Sequence, residues 1–81
     1  MSVFVDDLFV WPPTGKQWCR MIADTDEEME EFARLLGLKR QWKHGDHYDL
    51  TPSKRNEALR RGAIPVTTNY FIQIRRRNQE E

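Results

Sequence analysis

The sequence predicts an α/β fold: a small, mainly parallel sheet of three to four strands with two helices, in the order β-β-α-β-α-β. Three observations predict it. From Trp18 onward, short apolar runs alternate with helical patterns, which argues for strands joined by crossover helices. Thr25 followed by Glu28 marks one helix start, and Thr51-Pro52 marks another. Gly37 and Gly62 stand where those two helices should stop.

The elements follow in order. Val3-Phe4-Val5 is an apolar run ending at Asp6-Asp7 and reads as a buried strand. Leu8 to Lys16 holds Trp11-Pro12-Pro13-Thr14-Gly15 and reads as a loop with a turn. Trp18 to Ala23 is apolar or β-compatible except at Arg20, a second strand ending at Asp24. Thr25 then caps a helix over about 26–36. Met29, Phe32, Ala33 and Leu36 line one face of it, and acidic residues fill the first turn, where the helix dipole favours them. Leu38 to Trp42 reads as a third strand, with Leu38, Arg40 and Trp42 on one side. Lys43 to Asp49 is a polar connection containing both histidines. A second helix starts at Pro52, where the missing N–H costs nothing, and runs to about Arg61. Ala63 to Thr67 is a fourth short strand that Pro65 confines to an edge. Asn69 to Ile74 fits either strand or helix, and the charged tail from Arg75 should fray. The expected organisation is one α/β domain over residues 1–68 with a partly frayed C-terminal extension over 69–81.

Composition narrows the function classes. A chain of 81 residues buries roughly 64% of its surface on folding, enough for one small core. Thirteen basic and thirteen acidic residues give no net charge, which argues against a general polyanion binder, so nucleic acid is not expected as a partner. The charges are unevenly placed. Residues 1–37 carry three basic and eight acidic groups, and residues 38–81 carry ten and five. The halves can attract each other, or the basic half can face a phosphate ligand. A single cysteine, Cys19, allows no internal disulfide and no cysteine-based zinc site. No basic segment leads into an apolar run, and no apolar stretch approaches the ~20 residues that span a bilayer. The expectation is a reduced, cytoplasmic protein without a membrane partner.

In a parallel sheet, ligands sit beyond the carboxyl ends of the strands, where helix N-termini also lie. Asp6 and Asp7 follow the first strand, Asp24 the second, and His44, Asp46, His47, Tyr48 and Asp49 the third. A shared edge for all of them requires the first strand to run parallel to the others. His47-Tyr48-Asp49-Leu50-Thr51-Pro52-Ser53-Lys54-Arg55 is the most informative segment. Free N–H groups at a helix start favour anions, Thr51 and Ser53 add hydroxyls, and Lys54 and Arg55 add charge. Arg55 lies three and four residues before Ala58 and Leu59, the only apolar residues of its helix, so it should face inward. A buried guanidinium needs a partner: either an ion pair with Asp49, Asp24 or Asp6, or a ligand phosphate or carboxylate. Tyr48 would stack on a base or plug the core. Trp11, Trp18 and Trp42 are expected in the core, with Trp11 the readiest of the three to be exposed.

The chain resembles a small family of bacterial and phage proteins, one of the domains of unknown function. The resemblance rests on Val3-Phe4-Val5-Asp6-Asp7, Trp11-Pro12, Trp18-Cys19, Ala23-Asp24-Thr25 and, above all, His47-Tyr48-Asp49-Leu50-Thr51-Pro52. It covers nearly all of residues 2–66, implies a free-standing small cytosolic protein, and supplies no catalytic residues.

The expected function is therefore a non-enzymatic module that binds a small anion, such as a nucleotide or another phosphate compound, at the N-terminus of the second helix. His47, Tyr48, Asp49, Thr51, Ser53, Lys54, Arg55, Asp6 and Asp24 are its candidate ligand-binding residues, with no cofactor. One alternative is a metal-dependent phosphoesterase or nuclease, in which Asp6, Asp24, Asp49 and His47 hold a divalent ion. Another is a protein-interaction accessory factor that uses Trp11 and the Pro-Pro loop. A homodimer would suit any of them, because the core is small.

Overall fold

The computed structural model describes residues 2–79. Strands β1 (Val3–Val5), β2 (Phe9–Trp11) and β3 (Lys16–Ala23) come first, followed by helix α1 (Asp26–Leu35). A 3-10 turn (Arg40–Trp42), β4 (Lys43–His44), β5 (His47–Leu50) and α2 (Pro52–Arg60) follow, then β6 (Ile64–Pro65) and α3 (Thr68–Gln79). The strand order is β4-β5-β3-β1-β6, and β2 pairs with the first half of β3. The architecture is thus α/β, with three helices and a mixed sheet of six strands.

This corrects the expected mainly parallel sheet of three to four strands with two helices. Only β1 and β6 pair in parallel; β1 with β3, β3 with β5, and β4 with β5 are antiparallel. The crossover rule itself holds. Following the pairings, β3 and β4, joined through α1, run the same way, and so do β5 and β6, joined through α2. Two hairpins supply antiparallel pairs that the sequence reading lacked. The first is β2–β3, inside the segment expected to be a loop. The second is β4–β5, inside the expected polar connection, where Gly45 takes φ +65° at the first turn position. Gly-Asp between two strands is a type II′ hairpin signal. The expected third strand over Leu38–Trp42 is instead a short 3-10 turn.

Alternation along the strands gives the sheet two apolar faces. Val3, Val5, Cys19, Met21, Ala23, Tyr48 and Leu50 share one core with Met29, Ala33 and Leu36 of the α1 segment and Ala58 of α2. Ile22 and the half-buried Phe4 point the other way and meet Phe71 and Ile74 of α3. Residues 68–79, which include most of the expected C-terminal extension whose tail from Arg75 should fray, are thus a helix with two buried anchors. Thr67 starts it by accepting from the Tyr70 N–H, and Phe71 spaces to Ile74 by three residues. Residues 80 and 81 of that expected extension lie outside the described residues. Thr25 caps α1 through the Glu28 N–H, as expected, while the Glu28 Oε1 is buried without a partner. No helix among the described residues is long and apolar enough to cross a membrane.

Candidate functional site

Because β1 and β3 are antiparallel, the acidic strand ends do not share an edge. Asp24 closes β3 at the end opposite Asp6. There its carboxylate accepts from the Ser2 N–H at 2.9 Å and pairs with Arg77 at 2.9 Å. Asp6 is fully buried. Its carboxylate accepts from the Arg20 backbone N–H at 2.6 Å and from the Arg20 guanidinium at 3.1 and 3.0 Å. That guanidinium lies 4.9 Å from the centre of the Phe71 ring, a cation–π contact that ties α3 to the pair. Asp6 is structural here, and the metal set Asp6, Asp24, Asp49 and His47 does not converge.

Arg55 does turn inward. Its Nε donates to the Asp6 backbone carbonyl at 3.0 Å, so its partner is a main-chain oxygen rather than any of the expected carboxylates. Cys19 is buried beside these groups. Burial, reinforced by the Asp6 carboxylate, pushes its thiol up to about 12, so it stays protonated and inert at neutral pH. Tyr48 is not available for stacking. It is buried on the α1 face, and its hydroxyl donates to Glu30 Oε2 at 2.9 Å. Burial and Glu30 together push its phenol up to about 12. Lys43 holds the other Glu30 oxygen at 3.1 Å, and hydrogen bonding from Lys43 lowers the Glu30 pKa.

The second half of the expected segment does meet a cavity. A groove of about 560 Å³ is lined by Trp18, Leu38, Gln41, Trp42, His44, Asp49, Thr51 and Lys54. Trp42, expected in the core, is 43% exposed because the 3-10 turn leaves it on the surface; Trp18 is half-buried. Thr51 caps α2 by accepting from the Lys54 N–H at 3.2 Å. Lys54 Nζ reaches the Leu36 carbonyl and stands 3.5 Å from Glu57. Ser53 is exposed and does not line the groove. Trp11, expected in the core with the other two, is exposed beside Phe9 and Val10 on the outer hairpin strand β2.

His44, His47 and Asp49 form a second cluster, on the β4–β5 hairpin. His44 pairs with His47 across the turn, and Asp49 follows His47 by two residues, so all three share a face. The His44 Nε2 lies 3.5 Å from Asp49 Oδ2, and the His47 Nε2 lies 3.6 Å from Asp49 Oδ1. The His47 Nδ1 hydrogen-bonds Asp46 Oδ1 at 3.1 Å, and Arg75 of α3 donates to Asp46 Oδ2 at 2.8 Å. Burial alone would raise the Asp46 carboxyl, but the hydrogen bonds from Arg75 and His47 outweigh it and hold the group below its ordinary value. Among the described residues, no group of three or more His, Cys, Asp or Glu side chains could hold a metal ion. Sequence reasoning missed the roles of Arg20, Trp42 and Arg75. His44, His47 and Asp49 already stood together in the polar connection, and Gly45-Asp46 signalled the hairpin that pairs them.

No curated protein and no solved structure matches the chain. The family model described as "Protein of unknown function (DUF4031)" matches residues 3–78, so it extends past Val66 through most of α3. The chain belongs to this DUF4031 family.

Proposed function

We propose that this chain is a non-enzymatic module that binds a small phosphate-bearing ligand of the nucleotide class in the groove beside the start of α2. The observation that carries the reading is the lining of that groove: two indoles, Trp18 and Trp42, next to the cap residue Thr51 and the ammonium of Lys54. Indoles stack on a base of any identity. The positive end of the helix dipole favours a phosphate. Pro52 has no N–H and the Lys54 N–H is taken by Thr51, which leaves the Ser53 N–H and the Thr51 hydroxyl as donors. Arg55 supports the helix start from behind through Asp6 and takes no direct part. His47, Tyr48, Asp6 and Asp24 fall outside this proposal.

Titration of the tryptophan fluorescence with adenosine and uridine nucleotides, and with inorganic phosphate, tests it. Saturable quenching by nucleotides is expected, at least ~tenfold weaker in Trp42→Ala and in Lys54→Ala. Absence of any saturable change at millimolar nucleotide, or equal affinity in both variants, would overturn it.

A further inference from the structure

We propose that the open edge of β2 is a dimerisation edge, to which a second copy of this chain adds its own β2, antiparallel, about a two-fold axis through Val10. The inference does not rest on the nucleotide reading.

An edge strand leaves a row of backbone N–H and C=O groups unpaired, and folded sheets blunt such edges with charge, proline or brevity. Among the described residues, two of the three terminal strands of this sheet are blunted in that way. β4 is two residues long and carries Lys43 and His44, and β6 is two residues long and ends on Pro65. β2 has neither protection. It pairs with β3 on one side, and its residues Phe9, Val10 and Trp11 are uncharged and exposed. With Leu8 they make a run of four exposed apolar residues, and Val10 and Trp11 each keep more than half of their surface in solvent. Runs of this kind on a folded surface mark sites of association.

The residues of the edge are complementary to themselves. A two-fold axis through Val10 sets Val10 against the partner's Val10, and Phe9 against the partner's Trp11. Phe9 and Trp11 are two residues apart on one strand, so both aromatic pairs fall on one face. Phe9 is in register with Trp18 on β3, which makes that face aromatic already. Charge agrees with the same arrangement. The exposed Asp7 precedes β2, and the exposed Lys16 stands in register with Trp11 at its other end. Ordinary strand spacings then place Asp7 and the partner's Lys16 ~12 Å apart between Cα atoms, a span that the two extended side chains cover. The contact occurs twice, once at each end of the interface. A parallel pairing would set the two Asp7 carboxylates side by side instead. Pro12 and Pro13 have no N–H to donate, so the added pairing stops with Trp11. The two-fold uses the same edge on both copies, so the assembly closes as a dimer.

Sedimentation equilibrium over a concentration series tests the dimer. A monomer–dimer equilibrium with a Kd of ~10–100 µM is expected, because the contact lies at the small end of specific interfaces. Val10→Lys sets two ammonium groups against each other on the two-fold axis and should weaken the dimer at least ~tenfold. Asp7→Lys and Lys16→Asp should each weaken it. The double variant should restore the wild-type Kd to within ~threefold, because both pairs re-form with their signs exchanged. Circular dichroism melts identify any variant that fails to fold, and the exposed charge swaps keep the test decisive if Val10→Lys does. A monomer at every concentration up to ~1 mM would overturn the proposal and leave a different protein as the partner of this edge. Dimerisation unchanged by Val10→Lys would overturn it too, by placing the interface elsewhere. A double charge swap that fails to restore the dimer would overturn the two-fold pairing. None of these outcomes depends on added nucleotide.

Discussion

Asp6 and Asp49 lie on the same face of one sheet, with Arg20 between them. Arg20 is in register with Asp49 on the neighbouring strand, yet its guanidinium goes to Asp6. Asp6 is fully buried, whereas the Asp49 side chain keeps about a third of its surface in solvent. An unpaired charge costs more the deeper it lies, so the buried carboxylate takes the strong bidentate partner. Asp49 is left facing two imidazoles at the longer distances of 3.5 and 3.6 Å. Two carboxylates of equal intrinsic chemistry thus end as a structural clamp and as a partly exposed group loosely paired with two histidines. Saturation of the lone pairs separates them, and residue type does not.

Three measurements break or sharpen that comparison. The largest effect is expected at the clamp. Asp6→Ala strands a largely buried guanidinium and removes two donors' partner, and should cost about 3–5 kcal/mol in urea unfolding. A loss below about 1 kcal/mol would mean that Asp6 is not the anchor described here. A middling effect is expected in acid. The folded Asp46 carboxyl titrates below its ordinary value, so it contributes stability above the unfolded carboxylate pKa. That contribution is lost as pH falls through the lower folded value, in a window below about pH 4. Wild-type protein should therefore lose more stability than Asp46→Asn between pH 5 and pH 2 in parallel thermal melts. Equal slopes would show that Arg75 and His47 do not hold the group. The smallest effect is expected at Asp49. Asp49→Asn should change stability by no more than about 0.5 kcal/mol, because no strong hydrogen bond is lost. A cost near that of Asp6→Ala would place Asp49 in the framework and remove the contrast.

The helices were the most legible part of the chain. Thr25 and Thr51 cap α1 and α2 as their local patterns indicate, and Arg55 turns inward as its spacing to Ala58 and Leu59 requires. These are interactions within a few residues, which a local pattern encodes fully. The sheet was less legible. Residues 9–11 and 43–44 are strands of two or three residues, too short for a period of two to register. The local pattern leaves the direction of β1 open, and its antiparallel pairing with β3 sets Asp6 and Asp24 at opposite ends. Within the candidate groove, Thr51, Lys54 and Asp49 were foreseen, while Trp42 was assigned to a core that its 3-10 turn excludes it from.

By itself, the sequence determined the two capped helices, the edge position of Pro65 and the family to which the chain belongs. Each follows from composition or from contacts between near neighbours along the chain. The tertiary structure alone decided which carboxylate meets which cation, because Asp6 with Arg20, Asp24 with Arg77 and Asp46 with Arg75 are joined across 14, 53 and 29 residues. Pairing over such separations depends on strand order and on relative burial, and neither is written in any local stretch of residues.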